Sequence, residues 1–170
     1  MVNRIARLLE ELGAIERGDF VLASGARSNW YVDIKSACTH PGLLQAIGEE
    51  IADRTEFEVV AGVALGAVPI AVAVSLAAKK PYAIIRKEEK KHGIAGTIIG
   101  EVAGREVLLV EDVTTSGGSV IFGIERLREA GAMVLGVVTV VDREEGCAEK
   151  LRELNVPFIP LVRASEIKTE

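Results

Sequence analysis

The chain has 170 residues, of which 49% are hydrophobic and 26% are charged, a balance typical of one globular domain and not of a disordered chain. Its 20 basic and 25 acidic residues give a net charge of −5, which argues against a general nucleic-acid binder because phosphate neutralisation needs clustered, excess Lys and Arg. No apolar run reaches the roughly 20 residues needed to span a bilayer, and Cys38 and Cys147 lack neighbours at metal-site spacing. We therefore expect a cytoplasmic protein with reduced thiols and with neither a membrane nor a nucleic-acid partner.

The first 40 residues carry the pattern of a helix followed by two short strands. Apolar residues recur at helical spacing from residue 2 to residue 12, and Gly13 ends that pattern. Residues 20–22 and 30–34 read as strands on either side of a turn at residues 24–28. This segment therefore predicts a small N-terminal appendage.

From Pro41 onward, which begins a further helix, the pattern changes to an alternation of strands and helices. Strands are predicted at residues 59–61, 82–85, 107–110, 134–141 and 158–162, and helices at residues 68–78, 119–130 and 145–154. Continuous apolar strands that alternate with helices indicate a mostly parallel sheet covered on both faces. We expect one α/β domain over residues 1–170, with an N-terminal segment at 1–40 and a core at 41–170.

The most informative stretch runs from residue 107 to residue 119. Four apolar residues form a buried strand, the acids Glu111 and Asp112 follow, and a run of hydroxyls and glycines then opens a helix. In open α/β sheets ligands bind at the carboxyl ends of strands, where backbone N–H groups and a helix start suit a phosphate. The two acids would repel a phosphate, so they suit a sugar diol or a hydrated Mg²⁺. The alternative interpretation is a capped helix beside two solvated acids.

Two common nucleotide-binding patterns are missing from the chain. It contains neither the G-x-x-x-x-G-K-[ST] pattern of nucleoside triphosphatases nor the G-x-G-x-x-G pattern of dinucleotide sites. A phosphorylated sugar therefore suits the turn at residues 111–119 better than either of those ligands.

Residues 107–119 resemble the phosphoribosyl-pyrophosphate (PRPP) motif of the type I phosphoribosyltransferase family. Residues 20–33 and 86–93 are similar to segments of its orotate-specific branch, so the resemblance spans roughly residues 15–143. It implies a Rossmann-like, mostly parallel sheet flanked by helices, with residues 1–40 as a small hood over the base pocket. The resemblance implies these PRPP-binding residues: Arg86, Lys87, Lys90, His92, Glu111, Asp112, Val113, Thr114, Thr115, Ser116, Gly117, Gly118 and Ser119.

Residues 86–93 carry four Arg or Lys against two Glu, a local charge of +2 in an acidic chain. Gly93 and Gly96 permit hinge motion, so the segment could close on pyrophosphate and neutralise the leaving group. A solvated charged hairpin is the alternative. The resemblance implies that Lys90 is catalytic together with Asp112, and that this loop reaches the neighbouring subunit of a homodimer.

Two other segments match the family, with departures. Residues 62–67 resemble the pyrophosphate loop, but Gly66 stands where many members carry a lysine, and Ala23 likewise replaces a lysine near the base. By resemblance Arg143 and Thr115 contact orotate, and Arg143 could hold a carboxylate bidentately. Arg27 or Lys35 could compensate for the lysine missing at Ala23.

The resemblance therefore implies transfer of phosphoribose from PRPP to orotate, giving orotidine 5′-monophosphate and pyrophosphate in pyrimidine nucleotide synthesis. Mg²⁺ is the expected cofactor, held mainly through PRPP and water and not by direct protein ligands. A purine phosphoribosyltransferase is the first alternative, although it would need an apolar base pocket in place of Arg143. A regulator of the same fold that senses PRPP or a nucleobase is the second. The dozen or so residues before Gly13 are too few for a helix-turn-helix, and the net charge of the chain is acidic, so both points argue against a DNA-binding part.

Overall fold

The computed structural model describes residues 3–21, 25, 27–88 and 97–167. Within these residues, helices and strands alternate along most of the chain. In chain order they are α1 (Arg4–Glu11), β1 (Ile15–Val21), β2 (Arg27–Val32), α2 (Ile34–Ala37), α3 (Pro41–Arg54), β3 (Val59–Val63), α4 (Val68–Ala78), β4 (Tyr82–Ile85), β5 (Ile98–Ile99), β6 (Glu106–Thr114), α5 (Gly118–Glu129), β7 (Met133–Asp142), α6 (Cys147–Glu153), β8 (Phe158–Arg163) and α7 (Ala164–Ile167).

The central sheet has six strands in the order β5-β4-β3-β6-β7-β8. Strands β4, β3, β6, β7 and β8 are parallel, and β5 joins the edge antiparallel to β4. All five residues of β3 are buried, as expected for a strand covered on both faces. The carboxyl ends of β3, β6 and β7 therefore meet at one edge of the sheet, where the candidate site lies.

Hydrophobic cores fill both faces of the sheet. Strand residues alternate between them: Leu108 and Val110 join the core under α3 and α4, whereas Leu109 joins the core under α5 and α6. Complete burial of such a leucine side chain contributes about 1.5–3 kcal/mol. Both cysteines lie buried in these cores and are free, so they act as small apolar residues there.

The N-terminal segment packs against the larger of these cores. Asn3 caps α1 by accepting a hydrogen bond from the backbone N–H of Ile5 at 3.0 Å, and Ile5 and Leu9 are buried. Strands β1 and β2 form a separate antiparallel pair. A hydrogen bond of 2.9 Å from the Asp33 N–H to the Ala14 carbonyl closes this segment just before α2.

The structure changes the bounds of several predicted elements and adds three short ones. The strand predicted at residues 30–34 ends at Val32, because the Asp33 carboxylate caps α2 by accepting from the Ser36 N–H at 3.1 Å. The strand predicted at 107–110 continues to Thr114, because it keeps pairing with β7. The helices α2 and α7 and the strand β5 were not predicted, and the helix predicted at 145–154 is shorter.

None of the helices in the described ranges is both long and apolar enough to cross a membrane.

Candidate functional site

The turn between β6 and α5 lies at the carboxyl edge of the sheet. Thr115 and Ser116 are exposed, and Gly117 occupies the N-cap of α5 with a φ of 84°. Within the described chain no side chain caps this helix, so the first N–H groups of a 12-residue helix are left for another acceptor. Such a helix start suits a phosphate.

Lys150 on α6 holds the same turn from outside. Its ammonium group donates to the Ser116 carbonyl at 2.7 Å. This bond fixes the Ser116 carbonyl and places a positive charge near the start of α5.

Glu111 and Asp112 lie in the last part of β6, and their exposed fractions are only 5% and 7%. The Asp112 N–H donates to Oε1 of Glu111 at 3.0 Å. Burial, and then the neighbouring Asp112 carboxylate, raise the pKa of Glu111 to about 8, although hydrogen bonds from the Asp112 N–H and the Ser119 hydroxyl act in the opposite direction. At neutral pH the pair therefore holds a proton on Glu111 and presents both a donor and an acceptor.

Lys35 on α2 points at Asp112. Its Nζ atom lies 3.1 Å from Oδ2 of Asp112. The Asp112 charge, as the largest cause, raises the pKa of Lys35, so this ammonium stays charged. Two basic residues are candidate replacements for the lysine missing at Ala23. Lys35 lies in the site, whereas Arg27 pairs with Asp19 in an exposed ion pair.

Thr114 ends β6 with its side chain bonded to β7. It is 2% exposed, and its hydroxyl donates to Oδ1 of Asp142 at 3.0 Å, so that hydroxyl is not a donor in the turn. The same Asp142 oxygen accepts from the Glu144 N–H at 3.1 Å. These bonds tie the end of β6 to the end of β7 and so position the residue between them, Arg143.

Arg143 is held on three sides. Its Nε donates to Glu145 at 2.9 Å, its Nη2 donates to the Ser28 hydroxyl at 3.0 Å, and its guanidinium lies 4.2 Å from the centre of the Trp30 ring. Arg143 is 7% exposed, which rules out a freely solvated arginine. A guanidinium locked by stacking and hydrogen bonds is ready to bind a planar anion.

A cleft of about 150 Å³ brings these groups together. It lies between β2, α2 and the carboxyl ends of β6 and β7. Its lining includes Tyr31, Lys35, Asp112, Thr115 and Arg143. Thr115 and Arg143 are the two residues predicted to contact a base. Both line the same cleft as Asp112 and Val113.

The predicted basic loop is described only at its start. Arg86 follows β4, and its N–H donates to the Thr97 carbonyl at 2.7 Å, while Lys87 is exposed. Lys90, His92 and Gly93 lie outside the described residues. Their predicted contacts with pyrophosphate therefore stay predictions.

The sequence interpretation missed several residues of the site. Ser28, Trp30 and Lys150 hold Arg143 or the turn, but each lies far from its partner along the chain. Local patterns carry no signal for such contacts.

The donor set offers few metal ligands. Across the described ranges there is no group of three or more His, Cys, Asp and Glu side chains that could hold a metal ion. Glu111 and Asp112 form a pair of buried carboxyls; the pKa of Glu111 is raised, and Asp112 faces Lys35. A metal at this edge would need most of its ligands from a bound substrate and water.

Comparison with known proteins gives consistent relatives. A phosphoribosyl transferase domain model matches residues 39–156. A curated protein named orotate phosphoribosyltransferase, from Methanoculleus marisnigri, is 65% identical over 167 residues, which cover 98% of each chain.

Two solved structures have the same architecture. The crystal structure of orotate phosphoribosyltransferase from Aeropyrum pernix has a TM-score of 0.83 and 32% identity, and the match covers 96% of this chain and 95% of that one. The Mycobacterium tuberculosis H37Rv enzyme of the same name, in complex with PRPP, has a TM-score of 0.78 and 29% identity, with 97% of both chains covered.

Proposed function

We propose, from the premise that this chain belongs to the phosphoribosyl transferase family, that it is an orotate phosphoribosyltransferase. The reaction breaks the bond between C1′ of PRPP and its pyrophosphate oxygen and forms a bond from C1′ to a ring nitrogen of orotate. The products are orotidine 5′-monophosphate and pyrophosphate. The observation that carries the proposal is the single cleft in which Arg143 and Thr115 lie beside Asp112 and the open start of α5.

The turn at residues 114–119 is proposed to hold the 5′-phosphate of PRPP. The N–H groups at the start of α5 lack side-chain caps within the described residues, and the helix start carries partial positive charge. The exposed hydroxyls of Thr115 and Ser116 add donors, whereas Thr114 would contribute through its backbone. These contacts fix one end of the substrate and thereby orient C1′.

Glu111 and Asp112 are proposed to hold the two ribose hydroxyls. A protonated Glu111 can donate a hydrogen bond while Asp112 accepts one, which matches hydroxyl groups that both donate and accept. The neutral Glu111 also avoids a second negative charge next to the phosphates. These two contacts would hold the ribose ring between the turn and the cleft.

Mg²⁺ is the proposed cofactor, bound mainly through the oxygens of PRPP and water. Asp112 and Glu111 are the residues on the protein side that could contact its water shell. When bound, the ion would offset the negative charge that builds up on the departing pyrophosphate.

Arg143 is proposed to bind the carboxylate of orotate, with Thr115 as a second contact. Ionised orotate is already a nucleophile, so the site requires no dedicated base. The charge and the fixed plane of the guanidinium favour orotate over a purine, which has no carboxylate.

The loop at residues 86–93, with Lys90 as the catalytic residue, is proposed to cover the pyrophosphate from a second subunit. A dimer is supported by the apolar side of α4, where Leu76 is 74% exposed, and by Leu65 before that helix, which is 77% exposed. In the proposed dimer a second copy of the chain would cover these exposed side chains. A cytoplasmic location is proposed because both cysteines are free.

The test measures pyrophosphate release from PRPP and Mg²⁺ with orotate, adenine or hypoxanthine as the acceptor. We expect turnover with orotate alone. Turnover of a purine but not of orotate would replace the proposal with a purine phosphoribosyltransferase. Binding of PRPP without turnover of any base would instead favour a sensor of the same fold.

A further inference from the structure

The cleft contains one ammonium group whose role the proposed function does not use. Lys35 lies on α2, directly after the Asp33 cap, and its side chain is 66% exposed although its Nζ contacts the buried Asp112. The flexible stem therefore leaves the ammonium open to solvent on one side and paired with a carboxylate on the other.

The space around Gly66 limits which residue can bring a positive charge to this part of the cleft. Asp112 packs directly against this glycine, so a Cβ atom added at Gly66 would lie 2.7 Å from Cγ and 3.1 Å from Oδ1 of Asp112. Any side chain at this position would push the Asp112 carboxylate away. The turn after β3 therefore offers its backbone to a ligand and has no room for a basic side chain while Asp112 stays in place.

Two other cations near this edge, Arg143 and Lys150, already have partners. Arg143 is held by Glu145, Ser28 and Trp30, and Lys150 donates to the Ser116 carbonyl. Lys35, by contrast, shares its ammonium with Asp112 at the point where that carboxylate meets the turn at Gly66. An anion bound at the turn beside Gly66 would therefore lie near the Asp112 carboxylate and the Lys35 ammonium that is paired with it.

We infer that Lys35 binds the diphosphate group of PRPP and supplies the positive charge for which Gly66 leaves no space. The inference rests on the proposed function for the identity of the ligand. Before the substrate binds, Lys35 neutralises Asp112. In the complex its three N–H donors bridge Asp112 and a diphosphate oxygen, so that Asp112 remains an acceptor for a ribose hydroxyl.

The decisive measurement is calorimetric titration with inorganic pyrophosphate and Mg²⁺, and separately with PRPP and Mg²⁺. The proteins are the wild type, Lys35→Met, Lys35→Arg and the matched control Lys79→Met. Lys79 follows the last turn of α4, and the helix runs away from the site, so its removal tests a general loss of charge. Methionine keeps most of the apolar stem of lysine and removes the ammonium.

We expect Lys35→Met to weaken both ligands about 10-fold, as is typical for the loss of a charged hydrogen bond. Lys35→Arg should restore most of the affinity, and Lys79→Met should match the wild type. Orotidine 5′-monophosphate, which has no diphosphate, should bind Lys35→Met within about 2-fold of the wild type by the same reasoning.

Asp112→Asn separates direct binding from an indirect effect on Asp112. If Lys35 contacts the diphosphate, this variant keeps or improves its affinity for pyrophosphate, because it frees the ammonium. Equal pyrophosphate affinity of Lys35→Met and the wild type would overturn the inference, and so would an equal loss in Lys35→Met and Asp112→Asn. A wild type that binds neither ligand would overturn the proposed function itself.

Discussion

The carboxyl group of Glu111 is buried beside a second acid, and its protonation follows from that environment. Its pKa of about 8 lies above its ordinary value of 4.5 because burial disfavours the charged form and Asp112 adds repulsion. The folded protein thus keeps a proton that the unfolded chain loses. The resulting contribution to stability is complete below pH 4.5 and disappears as the pH rises toward 8.

Glu111→Gln should therefore flatten the pH dependence of stability. Between pH 5 and pH 8 we expect the wild type to lose up to about 1.4 kcal/mol per pH unit relative to this variant. Urea unfolding at pH 5, 6.5 and 8 measures the difference. The exposed Glu153→Gln is the control, and parallel curves for the wild type and Glu111→Gln would contradict the assigned protonation.

Arg143 shows how neighbouring residues prepare a guanidinium for a ligand. Lysine at this position keeps the charge but loses the fork and the stack on Trp30. We expect Arg143→Lys to weaken orotate binding by about 10-fold or more and to leave PRPP binding close to the wild type. Calorimetry with each ligand measures this, and unchanged orotate affinity would place the base elsewhere.

The fluorescence of Trp30 gives an independent check on that variant. Trp30 is the one tryptophan in the sequence, so its emission reports the stack without interference. The emission should change in Arg143→Lys and stay constant in the exposed control Arg152→Lys. A change in both variants would indicate an effect unrelated to the stack.

The types of residue in the sequence predicted which ligand groups the site suits, but not which side chains contact each other there. The order of acids, hydroxyls and glycines at residues 111–119 indicated a phosphate and a ribose, and the family prediction is confirmed by the domain match. The pairing of Lys35 with Asp112 joins residues 77 positions apart, which only the folded chain brings together. The bond from the Thr114 hydroxyl to Asp142 likewise joins residues that are far apart in the sequence, 28 positions.

The turn between β6 and α5 depends on the backbone of Gly117. Its φ of 84° is strained for other residues, and a Cβ there would lie 3.0 Å from Sγ of Cys147. Gly104 also has a positive φ, of 68°, but has nothing within 4 Å of the added Cβ. Alanine would have an unfavourable backbone conformation at either position, but only at Gly117 would its Cβ also crowd Cys147. The two glycines therefore form a matched pair.

Gly117→Ala should raise the KM for PRPP several-fold, because the displaced turn loses the alignment of its N–H groups. Gly104→Ala should cost a similar ~1 kcal/mol of stability from the backbone and leave the KM unchanged. Steady-state kinetics and urea unfolding of both variants measure these effects. Equal KM values for the two variants would remove the turn from the PRPP site.

The longer elements were predictable and the shortest were not. The bounds of α4 and β4 follow from apolar runs that end at charged or turn residues, and the structure confirms both. The four-residue helices α2 and α7 are too short to display a helical period, and the two-residue strand β5 exists through its pairing with β4. The mostly parallel fold with its flanking helices could be predicted because it follows from the long elements alone.

At the scale of the whole molecule, the proposed dimer would share its sites between subunits through the basic segment at residues 86–93. If each site takes residues from both subunits, two inactive variants with different substitutions can form a mixed dimer that has one working site. Lys90→Ala would remove the proposed pyrophosphate contact of the loop, whereas Asp112→Asn would remove the proposed ribose contact. In a mixed dimer both defects would fall on one site, and the other site would combine an intact loop with an intact Asp112.

Mixing the two variants under conditions that exchange subunits should therefore restore activity. Random pairing makes half of the dimers mixed with one working site each, so we expect about a quarter of wild-type activity for a twofold-symmetric pair. Each variant exchanged with itself is the control and should stay near its own low rate. Affinity tags on the two variants allow mixed dimers to be isolated, and inactive mixed dimers would show that each loop serves its own subunit.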